Sequence, residues 1–126
     1  MVILQTVSGI AVERAEPGVE VIVVTGEHDI STAPELERRL EDALESGHAV
    51  VIDLLGTTFI DSTVLRVLIS AREQAGERSI GFRCALGEST GHGVRRLLDL
   101  TGMAGRLQAV PTRADAIAGA VAPEPA

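Results

Sequence analysis

The chain has 126 residues, the length of one ordinary domain, and its 45% hydrophobic and 23% charged residues predict a packed core over most of that length. Eleven Lys plus Arg against eighteen Asp plus Glu give a net charge of −7, which argues against nucleic acid and anionic membrane surfaces and suits a protein partner. A single cysteine, Cys84, excludes an internal disulfide and a cysteine-rich metal centre; with no basic leader and no run near ~20 apolar residues, the expectation is a cytoplasmic protein that does not span a membrane.

Two extended runs, residues 10–14 and 19–25, flank the turn signal Glu16-Pro17-Gly18 and predict a β-hairpin. Alternation in the first run gives it one wet face, whereas the valine-rich second run reads as buried on both. Thr32-Ala33-Pro34-Glu35 matches a capping box with Thr32 as N-cap; Leu36, Leu40, Ala43 and Leu44 then form the apolar stripe of a helix closed by Gly47. Val50-Val51-Ile52-Asp53-Leu54-Leu55 has the length of a central strand, followed by a loop at Gly56-Thr57-Thr58. A second helix enters at Asp61 as N-cap, with Ile60 and Leu65 as a hydrophobic staple, runs to about Gln74 and stops at Gly76.

Ile80, Phe82 and Cys84 alternate with Gly81, Arg83 and Ala85, predicting a strand with one polar face, and residues 87–93 form the next loop. Val94, Leu97 and Leu98 are the stripe of a short helix ended by Gly102. A weak strand around residues 107–110 precedes a last helix carrying Ile117, Ala118 and Val121, and residues 123–126 are expected to fray. Strands alternating with helices define the α/β class. The expectation is a single domain over residues 1–122, its core about 10–120, with a mixed β-sheet of four to five strands packed with about four α-helices.

Chemistry-bearing residues are sparse. His28, His48 and His92 fall in separate loops or helix ends without a second ligand at i+2, i+3 or i+4, so they are expected to be solvated, and no metal site is predicted. Ser62 lacks the G-x-S-x-G setting of a strained nucleophile, and no glycine-rich phosphate cradle is present; no catalytic residue and no cofactor are predicted, and the chain is not expected to be an enzyme. Cys84 reads as a buried core thiol and Arg95-Arg96 as a solvated face. The Asp61-Ser62-Thr63 entry admits two compatible readings: ordinary capping, or a serine presented at a helix N-terminus for modification.

Val24-Thr25-Gly26-Glu27-His28-Asp29, then Val51-Ile52-Asp53-Leu54 leading into Phe59-Ile60-Asp61-Ser62-Thr63, then Val94-Arg95-Arg96-Leu97-Leu98-Asp99-Leu100-Thr101-Gly102 resemble, in order and spacing, the STAS domain of bacterial anti-sigma factor antagonists. The resemblance covers roughly residues 10 to 120. It implies a monomeric protein that binds an anti-sigma factor with serine kinase activity, releasing a sigma factor, until that kinase phosphorylates the serine; a phosphatase is the implied partner for the reverse step. Ser62 takes the position of that serine, Asp29 that of the acidic loop residue beside it and Asp61 that of the preceding aspartate, with Thr63 and Arg66 on the same expected partner surface. Where the family continues Gly-Leu-Gly, this chain has Val64-Leu65-Arg66, which puts bulk and a positive charge where close approach is normally allowed. The same Asp-Ser-x-x-x-Arg-Val-Leu pattern also resembles STAS scaffold subunits of stressosome-like stress-signalling assemblies, the alternative implied function.

Overall fold

The structure, a computed structural model, describes residues 2–7, 9–15 and 18–122, the first of these stretches by its backbone alone. Residues 16–17 of the expected turn and the 123–126 tail lie outside the described residues. In chain order the elements are β1 (Val2–Val7), β2 (Ile10–Ala15), β3 (Val19–His28), α1 (Ala33–Ser46), β4 (Ala49–Ile60), α2 (Ser62–Glu77), β5 (Phe82–Ala85), α3 (His92–Thr101), α4 (Met103–Arg106), β6 (Ala109–Val110) and α5 (Arg113–Val121).

The six strands lie side by side in chain order in one sheet. β1, β2 and β3 are antiparallel neighbours, and β3 to β6 are parallel, each parallel pair joined by a helical crossover. The α/β class and the mixed sheet are as expected. β1 is an addition to the expected set: Val7 pairs with Ile10 in an antiparallel ladder that makes a second hairpin.

Alternation along the strands divides the core between the two faces of the sheet. Ile22, Val24, Ile52, Leu54, Phe82 and Cys84 pack with Leu36 and Leu40 of α1, Leu68 of α2 and Leu98 of α3. Burying each such leucine contributes about 1.5–3 kcal/mol, so this face carries most of the hydrophobic stabilisation. Val19, Val21, Val51 and Ala85 pack on the other face with Ala116 and Ala120 of α5. The small residues let α5 approach closely. A Cβ on Gly81 would lie 1.7 Å from the Ala120 carbonyl oxygen, so no larger residue fits there without displacing the helix.

Three expectations need correction here. β4 continues through Gly56-Thr57-Thr58 to Ile60 instead of breaking into a loop, because Gly56, Thr57, Phe59 and Ile60 pair with Thr25, Gly26, Glu27 and His28 of β3, Thr58 falling at a shift in register, and the buried Thr57 hydroxyl donates to the Val24 carbonyl at 2.7 Å. α2 passes Gly76 and ends at Glu77, with Ser79 making the left-handed turn at φ 56°. The expected polar face of β5 is covered: Arg83 is half-buried beneath α5 and donates from Nη1 to the Phe82 carbonyl and to Gln108 Oε1, both at 2.7 Å.

Candidate functional site

Because β3 and β4 are parallel neighbours with His28 opposite Ile60, the segments that leave them emerge at the same end of the sheet. The β3–α1 loop therefore meets the start of α2. In open parallel sheets the crevice outside the carboxyl ends of the strands is the usual place for a binding surface. Asp29, Asp61, Ser62 and Thr63 all belong to these two segments.

Asp61 has extended backbone dihedrals and caps α2: its Oδ1 accepts the Val64 N–H at 3.0 Å. Its Oδ2 accepts the Ile30 N–H at 3.1 Å, so one carboxylate spans the two segments. Ile60 is buried and Leu65 packs against the same core cluster, as the staple requires. The helix entry leaves Ser62 exposed on the surface and Thr63 half-exposed.

Asp29 is exposed and closes an Asx turn, its Oδ1 accepting from the Ser31 hydroxyl at 2.6 Å and from the Ser31 N–H at 2.8 Å. These bonds, the hydroxyl's first, hold the Asp29 carboxyl below its ordinary range, so it is a carboxylate at neutral pH. No hydrogen bond among the described residues joins Asp29 to Ser62; what brings them to one corner is the Asp61–Ile30 tie.

Two local expectations fail for one reason. Thr32 stands at the N-cap of α1, but its side chain makes no cap hydrogen bond. Its hydroxyl oxygen instead accepts from the Asp29 N–H at 3.1 Å and meets His28 Nδ1 at 3.0 Å. Glu35, freed from a capping box, pairs with Arg38 and Arg39. His28 is not solvated: it is 1% exposed, and its Nε2 lies 2.8 Å from the Thr25 carbonyl oxygen. A carbonyl only accepts, which places the proton on Nε2 and leaves Nδ1 to take the Thr32 hydroxyl. The loop is built around this buried imidazole. His92 is exposed, and His48 Nδ1 lies 2.9 Å from the Ser46 hydroxyl, outside this corner.

The departure at Val64-Leu65-Arg66 resolves into two unequal parts. Val64 is fully buried in the core beneath α1 and α2, so its bulk never reaches the surface. Arg66 is exposed and lines a groove of about 310 Å³ between α1 and α2, together with Ile30, Pro34, Glu37, Thr63 and Val67. Ile30, 71% exposed at the mouth of this groove, was not singled out by the sequence reading. Its signal was a large apolar side chain placed between a strand end and a helix start, where a turn normally carries polar residues.

Arg95 and Arg96 are exposed on α3, as expected of a solvated pair. Cys84 is fully buried; burial first, and the Asp53 carboxylate second, push its thiol up to about 12. Among the described residues, no group of three or more His, Cys, Asp or Glu is placed to hold a metal, and no helix is long and apolar enough to cross a membrane.

The fold is a three-layer α/β domain with a mixed sheet, an exposed serine at a helix entry and a capping aspartate that ties in an acidic loop. A family model described as "Mlab, STAS domain" matches residues 11–111, and the chain belongs to the STAS domain family. Among solved structures it is similar to an anti-sigma factor antagonist from Mycobacterium paratuberculosis, at 30% identity with a TM-score of 0.69, covering 88% of this chain and 92% of that one. A candidate anti-sigma factor antagonist from Thermotoga maritima shares the fold at 19% identity, with a TM-score of 0.73 over 86% and 92% of the two chains. The anti-sigma factor antagonist SpoIIAA, in its unphosphorylated form, does so at 14% identity, with a TM-score of 0.63 over 84% and 91%. No curated protein matches by sequence search.

Proposed function

We propose that this chain is an anti-sigma factor antagonist: it docks on an anti-sigma factor that carries serine kinase activity, and phosphorylation of Ser62 ends the complex. The observation that carries this reading is the exposed Ser62 at the start of α2, beside Asp61 and the Asp29 loop. Asp29, Asp61, Thr63 and Arg66 are assigned to the docking surface, and the protein acts in the cytoplasm as a binding module with no catalytic step of its own.

The phosphoryl transfer is the partner's chemistry. The Ser62 hydroxyl oxygen forms a bond to the γ-phosphorus of ATP held by the partner, the bond to the ADP oxygen breaks, and the hydroxyl proton passes to a base on the partner. The product gains about −1.5 to −2 charges at a helix N-terminus, where backbone N–H groups and the helix dipole tolerate an anion, so the domain stays folded. A partner fitted to the two carboxylates then meets a dianion among them. Repulsion and desolvation weaken the complex, each ~1.4 kcal/mol being tenfold in affinity.

The deciding experiment is a pull-down with the unmodified protein and with Ser62→Ala and Ser62→Asp, followed by mass spectrometry for the bound partner and for phosphoserine. Ser62→Ala should retain the partner, Ser62→Asp should lose it, and phosphoserine should appear at position 62 of the wild type alone. Equal recovery by all three proteins would remove the switch. A monomer on a sizing column separates this reading from a scaffold subunit of a large assembly.

A further inference from the structure

Arg66 stands one helical turn beyond Ser62 on α2. Residues four apart on a helix share a face with Cβ atoms roughly 5–6 Å apart, and long side chains lean towards the helix N-terminus. The Arg66 guanidinium therefore sweeps the turn that opens at Ser62. It is exposed, and among the described residues it makes no hydrogen bond or ion pair.

The acidic groups nearby do not compete for it. Both Asp61 oxygens are committed to backbone N–H groups, Asp29 is engaged by Ser31, and Glu37, on the groove wall, makes no ion pair with Arg66. A phosphate on Ser62 would stand at the corner that holds Asp29 and Asp61, with Arg66 as the one cation on its own helix face within a turn.

We propose that Arg66 is the clamp for a phosphate on Ser62, donating two N–H bonds to two phosphoryl oxygens, and that it sets the lifetime of the modified state. The inference rests on Ser62 being the modified residue. Planar, bidentate pairing of guanidinium with phosphate is the strong form of this contact, and it shields the phosphorus from attack. The clamp also draws Arg66 away from the wall of the α1–α2 groove. One modification thus adds negative charge to the docking surface and withdraws its cation.

Phosphoserine placed at position 62 during translation makes the test independent of any kinase or partner. In a ³¹P NMR titration of the intact protein, Arg66→Ala and Arg66→Gln should raise the second ionisation of the phosphate above the wild-type value by about half a unit, with Arg66→Lys between. A broad-specificity phosphatase should release phosphate several-fold faster from phosphorylated Arg66→Ala than from the wild type. Circular dichroism melting of the unphosphorylated variants checks that this exposed position leaves the fold intact. Identical ³¹P titrations and identical release rates for wild type and Arg66→Ala overturn the clamp. The expected shifts, with no partner kinase modifying Ser62, would uphold the clamp and overturn the proposed function instead.

Discussion

Asp61 and Ile30 are joined by a hydrogen bond of 3.1 Å from the Ile30 N–H to Oδ2, while the other oxygen of the same carboxylate caps α2 at Val64. One side chain thereby fixes the position of the acidic loop relative to the serine. The parallel register of β3 and β4 brings the loop and the helix to one end of the sheet, and this carboxylate adds a direct bond between them.

Asp61→Ala should cost about 2 kcal/mol in denaturant unfolding, from the lost cap and the lost loop bond. Asp61→Asn keeps an acceptor oxygen at the cap and should cost less. The Ile30 amide resonance should move in both variants, because its acceptor is gone or rearranged. An Asp61→Ala protein with the wild-type midpoint would show that the carboxylate is dispensable to the corner.

The Asp29 loop has a pH signature with a definite sign. Hydrogen bonds from Ser31 hold the folded-state carboxyl below its ordinary range, so the stabilisation is fully present above the unfolded value near ~4 and is lost as pH falls through the lower folded value. The loop should keep its neutral-pH form down to about pH 4. Carboxyl NMR titration should place Asp29 below its ordinary range, and Ser31→Ala should raise it towards that range. An Asp29 that titrates in the ordinary range would contradict the Asx turn.

Cys84 should be inert in the folded protein. Its thiol is buried and pushed up to about 12, so the reactive thiolate is nearly absent at pH 8. A disulfide-exchange colour reagent should leave the native chain unmodified and label one thiol per chain after unfolding. Fast labelling of the native protein would mean that β5 opens readily.

Ile30 offers a test of docking that leaves stability aside. The side chain is 71% exposed, so Ile30→Glu should change the melting temperature little, yet it places a charge at the mouth of the α1–α2 groove. Partner capture should fall at least tenfold. Undiminished capture would move the docking surface off this groove.

The α/β class, the order of the elements from β2 onward except the one-turn α4, and the Asp61–Ser62 helix entry were legible in the sequence because each has a local signal: period-2 or period-3.6 apolar spacing, or a capping residue before an apolar run. What was not legible depends on tertiary partners. Gly56-Thr57-Thr58 has the composition of a loop and becomes strand only because β3 supplies its ladder. His28 sits between polar residues, yet its imidazole is enclosed at the sheet end and satisfied by Thr25 and Thr32. Val64 and Arg66 look like equal departures until helix phase sends one into the core and the other to the surface.

The Asp53–Arg113 pair separates the stability of the domain from the chemistry of its Ser62 corner. Asp53 is 3% exposed on β4 and accepts from Arg113 Nε at 2.7 Å, while Oδ1 takes the Leu55 N–H at 2.9 Å and Arg113 Nη1 reaches Glu13 on β2 at 3.4 Å. Arg113 is the first residue of α5, so this cluster fastens that helix to the sheet face opposite α1 and α2. Removing one partner leaves a buried charge uncompensated, and because Arg113 keeps some access to water, Arg113→Ala should cost about 2–3 kcal/mol, below the range for a fully enclosed pair. The double variant with Asp53→Asn should cost less than the two single costs added, because the second change relieves the charge the first one stranded. Below its lowered melting temperature, Arg113→Ala should still capture the partner and accept phosphate on Ser62 at the wild-type rate, since α5 contributes nothing to that corner. Additive costs in the cycle would show that the two side chains act independently. Loss of phosphate acceptance in the folded variant would show that the two faces of the sheet are coupled.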